Sequence, residues 1–193
     1  MMAYYQELIL IPHEEVDLYF IWHKLFQQIH IALADNKTMD GKSHIGVGFP
    51  EYHAESYCLG KRLQLFAENE KYLQKMNCEK WLNRLMDYVH IQPIKPVPDT
   101  INGYACFKHV KLKGNKEKLA RRRAKRIGET LQQALAHFEN YQDERSNLPY
   151  INMVSQTNGH RFRLIIDKQD MEEHKEGMFS CYGLSNMATI PLF

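Results

Sequence analysis

The chain has 193 residues, of which 44% are hydrophobic and 25% charged, with a formal net charge of only +2. This is the composition of an ordinary globular protein, long enough for one large domain or two small ones. No apolar run reaches the roughly 18 residues of a membrane span, and the opening "MMAYYQELILIP" lacks the basic flank and cleavage site of a signal peptide, so no membrane association is expected and a cytoplasmic location is the default.

In chain order, "YYQELILIP" is rich in β-formers and stops at a proline, which predicts a first strand. The stretch "EEVDLYFIWHKLFQQIHIALADN" starts acidic and carries apolar or aromatic residues at Val16, Tyr19, Phe20, His23, Phe26, Ile29, Ile31 and Leu33, predicting a long buried helix. Two shorter strands follow in "HIGVGFPEY" and "KRLQLFA", then a helical stretch through "EKYLQKM" and "EKWLNRLMDYV" broken near Asn77, then "HIQPIKPVP". The order β-α-β-β-α-β is the split ferredoxin-like pattern, closing near Pro98. Beyond the turn-rich "IKPVPDTING", a strand is expected in "YACFKHVKL", one helix from about Asn115 to about Glu139, and strands in "PYINMVS", "RFRLIID" and "GMFSCYG". The expected class is therefore α+β, with a ferredoxin-like domain over residues 1–98 and a second α+β domain over residues 99–193. Cys58, Cys78, Cys106 and Cys181 are far apart, with no C-x-x-C pair, so reduced, packed thiols are expected rather than a zinc site or a disulfide framework.

Charge is concentrated in "KLARRRAKRIGETLQQAL", which begins at Lys118. Advancing about 100° per residue puts Lys118, Arg121, Arg122, Lys125 and Arg126 on one side and Ala120, Ala124, Ile127, Leu131 and Leu135 on the other. Lys108, Lys111, Lys113 and Lys116 extend the basic run upstream. Such a stripe attracts a polyanion through counterion release even when the total charge is near zero; a solvated helix face or a membrane-surface helix remains the alternative.

The missing motifs remove large enzyme classes: there is no G-x-x-x-x-G-K-[ST], no H-E-x-x-H and no Rossmann glycine fingerprint, and "GVG" at Gly46 suits a strand of small residues. "DKQDMEEHKEG" crowds its carboxylates into one loop-like segment without ligand spacing, which disfavours two-metal chemistry, so no metal or other cofactor is expected. RNA offers another route, because its own 2′-hydroxyl attacks the adjacent phosphorus once a base takes its proton. Histidine suits that role, with an ordinary pKa of about 6.5. His30, near the end of the first helix, is one candidate among ten histidines, with an ordinary packing role as the alternative. "SQTNGHRFRLIID" sets the hydroxyls of Ser155 and Thr157 beside Arg161, Phe162 and Arg163, which suits phosphate contact and base stacking, although Phe162 would equally serve as strand core. In "FSCYGLS", Tyr182 precedes a glycine turn, where its hydroxyl could orient a neighbour.

Taken together and in this order, His30 in "LFQQIHIAL", then "HIGVGFP", "ARRRAKR", "SQTNGHRFRL" and "FSCYGLS" with the terminal "IPLF" resemble the type I-F CRISPR RNA-processing endoribonucleases, a subtype of the Cas6 superfamily. The resemblance spans nearly the whole chain. It implies an N-terminal ferredoxin-like domain and a C-terminal domain whose arginine-rich helix holds the hairpin of the CRISPR repeat. It also implies metal-independent cleavage at the hairpin's 3′ foot, with the processed RNA retained as part of a surveillance complex with other subunits. By residue, it makes His30 the catalytic base, Ser155 the group that holds the ribose and Tyr182 the group that orients the histidine. It puts Arg121, Arg122, Lys125 and Arg126 on the groove-binding helix, whose basic stripe also holds the RNA-binding candidate Lys118; it puts Thr157 where a second serine is usual, and Phe162 beneath the last base pair. Lys125 stands where the family pattern has arginine, and His109 and Lys111 stand in the linker where arginine and glutamine are expected. Lysine offers only donors, which suits guanine acceptors, so a different repeat sequence is expected. A non-catalytic RNA-binding adaptor and a DNA-binding regulator are the competing classes.

Overall fold

The structure is a computed structural model describing residues 1–53 and 59–193. Cys58 lies outside the described residues, whereas Cys78, Cys106 and Cys181 are free thiols, the first two buried. The chain is an α+β protein with two antiparallel sheets. The first contains β1 (Tyr4–Leu10), β2 (Ile45–Gly48), β3 (Arg62–Ala67) and β4 (Val89–Ile91) in the order β2-β3-β1-β4, with β5 (Lys95–Pro96) also pairing with β1. With α1 (Leu18–Asp35) between β1 and β2, and α2 (Glu70–Met76) and α3 (Cys78–Leu82) between β3 and β4, this is the ferredoxin-like arrangement. The break between α2 and α3 falls at Asn77, whose φ of 50° ends one helix while its side chain accepts from Lys80 N to start the next. The second helix is much shorter than expected and ends at Leu82.

Helix α1 is long, as expected, and it buries Phe26, Ile29 and Leu33 of the expected set, but its first turn faces outward. Asp17 caps it by accepting from the Tyr19 amide. Ile21, Trp22, Leu25, Phe26, Ile29, Ala32 and Leu33 form the buried stripe at three- and four-residue spacing, while Tyr19 and Phe20 stand 56% and 53% exposed. The first-turn aromatics therefore lie outside the core.

The second sheet contains β6 (Gly103–Val110), β7 (Tyr150–Val154), β8 (Arg161–Met171) and β9 (Ile190–Leu192) in the order β7-β8-β6-β9. Strand β8 runs beyond the expected "RFRLIID" to Met171, so the start of the acidic segment is strand rather than loop. The expected strand in "GMFSCYG" is absent; Phe179 makes one isolated bridge to Ser43 and the residues after it turn. In its place "IPL" supplies β9, and as an edge strand this tolerates Pro191. Among the described residues no helix is long and apolar enough to cross a membrane.

The chain forms two compact units, Met1–Val110 with Leu148–Phe193, and Lys111–Asn147. The second unit holds α4 (Lys116–Ile127) and α5 (Leu131–Ala136) in place of the single expected helix. Gly128, at φ 75°, closes α4 in the left-handed region, and Thr130 opens α5 with a capping box to Gln133. The break turns Ile127 and Leu131 outward, at 51% and 39% exposure, so neither packs as the continuous helix required. Ala120 and Ala134 are its buried helix residues.

Candidate active site and basic helix

His30 projects half-buried from α1 beside the core residue Ile29. Its Nδ1 lies 2.9 Å from the Cys181 carbonyl oxygen. A carbonyl can only accept, so in the neutral ring Nδ1 carries the proton and Nε2 the lone pair. The Tyr182 ring lies flat on the imidazole, with centroids 4.1 Å apart and planes 4° from parallel. Phe162 from β8 meets Tyr182 edge-on at 6.4 Å, and His109 from β6 approaches it at 6.1 Å. Tyr182 thus meets His30 through its ring face, and its hydroxyl makes no hydrogen bond among the described residues. Burial, with the nearby Cys181 thiol, pushes the Tyr182 phenol up, so it stays neutral at ordinary pH.

The segment carrying Cys181 and Tyr182 is fastened to the entry of β2. Ser43 and Phe179 exchange two backbone hydrogen bonds, at 2.8 and 3.0 Å, and the Cys181 thiol donates to the Gly41 carbonyl. A turn from Ser180 to Gly183 then presents Tyr182. Gly183 has φ 69° and its carbonyl accepts from Val47 N at 2.8 Å; a Cβ there would fall 2.1 Å from Val47 Cγ2. Only glycine fits this position.

Ser155 sits in the β7–β8 turn, where its N–H donates to His160 O and its carbonyl accepts from Gly159 N. Its hydroxyl makes no hydrogen bond among the described residues, including none to His30, and Thr157 lies exposed in the same turn. What brings this turn to α1 is a residue that the sequence pattern did not single out. Gln27, one turn before His30, donates Nε2 to Val154 O and accepts from Val154 N through Oε1, both at 3.1 Å. His23 Nδ1 bonds Asn152 O at 2.5 Å. The free edge of β7 is thereby paired by side chains of α1. Replacing Gln27 with alanine would leave both Val154 groups without these partners, and a loss of about 1–3 kcal/mol is expected in urea unfolding. An unchanged midpoint would mean that water replaces the amide without cost.

In the Lys111–Asn147 unit, Asn115 caps α4 by accepting from Lys118 N. Lys118, Arg122, Lys125 and Arg126 are exposed and form no ion pair among the described residues. Arg121 is exposed but pairs with Glu117 at 2.5 Å. Arg123 turns inward, its Nε 2.7 Å from Glu129 and its guanidinium 3.2 Å from His137. The cationic face is thus the one that the helical projection isolates. Lys111 is exposed ahead of it, and the following residues are tied to the 139–144 stretch by Lys113–Glu144 and by Lys116 N donating to Asp143. Among the described residues, no group of three or more His, Cys, Asp or Glu is placed to hold a metal ion.

A family model described as CRISPR-associated protein (Cas_Csy4) matches residues 5–193. The chain is similar to two proteins named CRISPR-associated endonuclease Cas6/Csy4. One, from Escherichia coli (strain UTI89 / UPEC), is 33% identical, and one, from Pseudomonas aeruginosa (strain UCBPP-PA14), is 30% identical; each alignment covers 100% of both chains. A solved structure described as "An RAMP protein binding different RNA substrates" overlays with a TM-score of 0.37 at 10% identity, over 98% of this chain and 100% of that one.

Proposed function

Because the chain belongs to the Cas_Csy4 family of CRISPR-associated proteins, we propose that it is a metal-independent endoribonuclease that processes precursor CRISPR RNA. In this reading residues 1–98 form the ferredoxin-like domain and residues 99–193 the domain that binds the repeat hairpin. The exposed face of α4, with Lys118, Arg121, Arg122, Lys125 and Arg126, holds the stem through its phosphates, since an A-form major groove offers side chains little base readout. Phe162 stacks under the closing base pair, Ser155 and Thr157 hydrogen-bond the backbone there, and His109 and Lys111 contact the foot of the stem.

The observation that carries the chemistry is the fixed imidazole. With Nδ1–H bonded to the Cys181 carbonyl and the ring clamped by Tyr182, the Nε2 lone pair of His30 is oriented as a general base. It takes the proton of the 2′-hydroxyl as that oxygen attacks the adjacent phosphorus. The bond from phosphorus to the 5′-oxygen breaks, leaving a 2′,3′-cyclic phosphate on one product and a 5′-hydroxyl, protonated from imidazolium or water, on the other. The processed RNA stays bound through its hairpin, making the protein a subunit of the surveillance complex. An adaptor would need the basic face and Phe162 but would have no use for the clamped imidazole.

The test compares repeat RNA with the same RNA carrying a 2′-deoxy nucleotide at the cleavage position, both in excess EDTA. Cleavage of the first and intact binding of the second are expected. Strict dependence on added Mg²⁺, or cutting of the deoxy substrate, would overturn the mechanism; equal binding with no cutting of either would favour the adaptor.

A further inference from the structure

The exposed pair Tyr19 and Phe20 opens onto a cleft of about 800 Å³ whose far wall is Arg161, Phe162 and Arg163. A second cleft of about 550 Å³ shares His23, Lys24 and Val154 with the first, and runs on over Trp81, Lys80 and Arg84 to Gln156. The two form one trough across the outer face of α1. Phe162, the ring that meets Tyr182, lines the first cleft, and Gln156, the chain neighbour of Ser155, lines the second. Both clefts therefore border residues beside which the catalytic reading places the scissile nucleotide.

Its chemistry is one-sided. Lys24, Lys80, Arg84 and Arg161 are exposed and form no ion pair among the described residues. The one carboxylate among the described lining residues, Asp17, is already engaged by the Tyr19 amide at 2.7 Å. Cations lie beside ring faces: Lys24 is 5.2 Å from the Phe20 centroid and Lys80 5.1 Å from that of Trp81. Cations without carboxylate partners, set against accessible rings, suit a single-stranded polyanion whose bases are free to stack; a duplex keeps its bases stacked on one another, and a protein partner would more often meet a less charged centre.

We infer that this trough binds unpaired RNA that runs on from the foot of the hairpin, a role that rests on the RNA-processing reading above. The probe is a hairpin with a 2′-deoxy nucleotide at the cleavage position, prepared bare, with an unpaired 5′ extension, and with an unpaired 3′ extension. One extension should tighten binding about tenfold, the range expected from stacking of one or two bases, and the arm that does so identifies the source of the strand. Phe20→Ala, Lys24→Glu and Arg84→Glu, all at exposed positions, should erase that gain while leaving bare-hairpin affinity unchanged. Normal hairpin affinity with no gain from either extension would overturn the trough alone. So would a gain that survives all three substitutions, or variants that keep the gain but no longer assemble with other complex subunits, which would make the face a protein dock. Failure of the wild type to bind the bare hairpin would overturn the processing reading and the trough with it.

Discussion

His30→Ala should reduce cleavage by about 10²- to 10⁴-fold, the usual contribution of a positioned general base, while hairpin affinity stays within a few-fold. The separation follows from where the residue stands. His30 is on α1, bonded to Cys181 and stacked on Tyr182, whereas the stem is assigned to the basic face of α4. The substitution frees the Cys181 carbonyl and uncovers one face of Tyr182, so thermal unfolding belongs beside the rate measurement to show that the fold survives. Added imidazole should restore part of the rate, because the space that the side chain leaves is bounded by the same carbonyl and ring. Full activity in the variant would remove His30 from the chemistry, and a parallel loss of affinity would make it a binding residue.

The paired change Arg122→Ala and Arg126→Ala should weaken hairpin binding about 10²-fold, taking on the order of 1.5 kcal/mol for each charge-assisted hydrogen bond removed. The two positions are one helical turn apart, exposed, and free of ion pairs among the described residues. The loss should be similar for stems of any sequence, and the slope of log affinity against log salt should flatten by about two units as fewer counterions are released. Arg126 lies in the last turn of α4, where a cation also favours the helix dipole, so part of the effect, about 0.3–1 kcal/mol, is helix stability that circular dichroism would register. Arg123→Ala is the contrasting control: it breaks the Glu129 pair and should lower stability with little change in slope. An unaltered slope in the double variant would leave Arg122 and Arg126 on an idle solvated face.

The sequence carried the ferredoxin-like order of elements because each strand and helix there announces itself within a few residues, through alternation, helical spacing and breakers such as Asn77. It also isolated the outward cations of α4, since a projection needs only local geometry. Local patterning misled wherever a partner far along the chain decides the outcome. Tyr19 and Phe20 are as apolar as the buried stripe, and only the packing of α1 leaves them outside. "IPL" is too short and too proline-bearing to read as a strand until β6 offers it an edge, while "GMFSCYG" looks like one but is held in turns by Ser43 and Val47. The break at Gly128 was signalled by glycine followed by a Thr-x-x-Gln box, and was masked by apolar periodicity that continues through it. At the candidate site, His30, Tyr182 and Phe162 come together in the structure. Gln27 carried no signal at all, because its meaning lies in two backbone groups of Val154, 127 positions away.

The Lys111–Asn147 unit has hardly any interior of its own. Its fully buried side chains among the described helix residues are the methyl groups of Ala120 and Ala134, and two alanines remove too little apolar surface from water to offset the entropy of ordering a helical pair. Half-buried side chains such as Leu119, end caps and screened ion pairs supply the rest, each worth little in water. Opening of α4 is then a low-energy fluctuation, and the cationic face exists as a face only in the closed fraction. A polyanion laid along that face binds the closed form alone, so its measured affinity is the intrinsic one scaled by that fraction. On the proposed reading, capturing the hairpin and finishing the fold of this insertion become a single equilibrium, in which the bound stem supplies the order that an apolar core supplies elsewhere in the molecule.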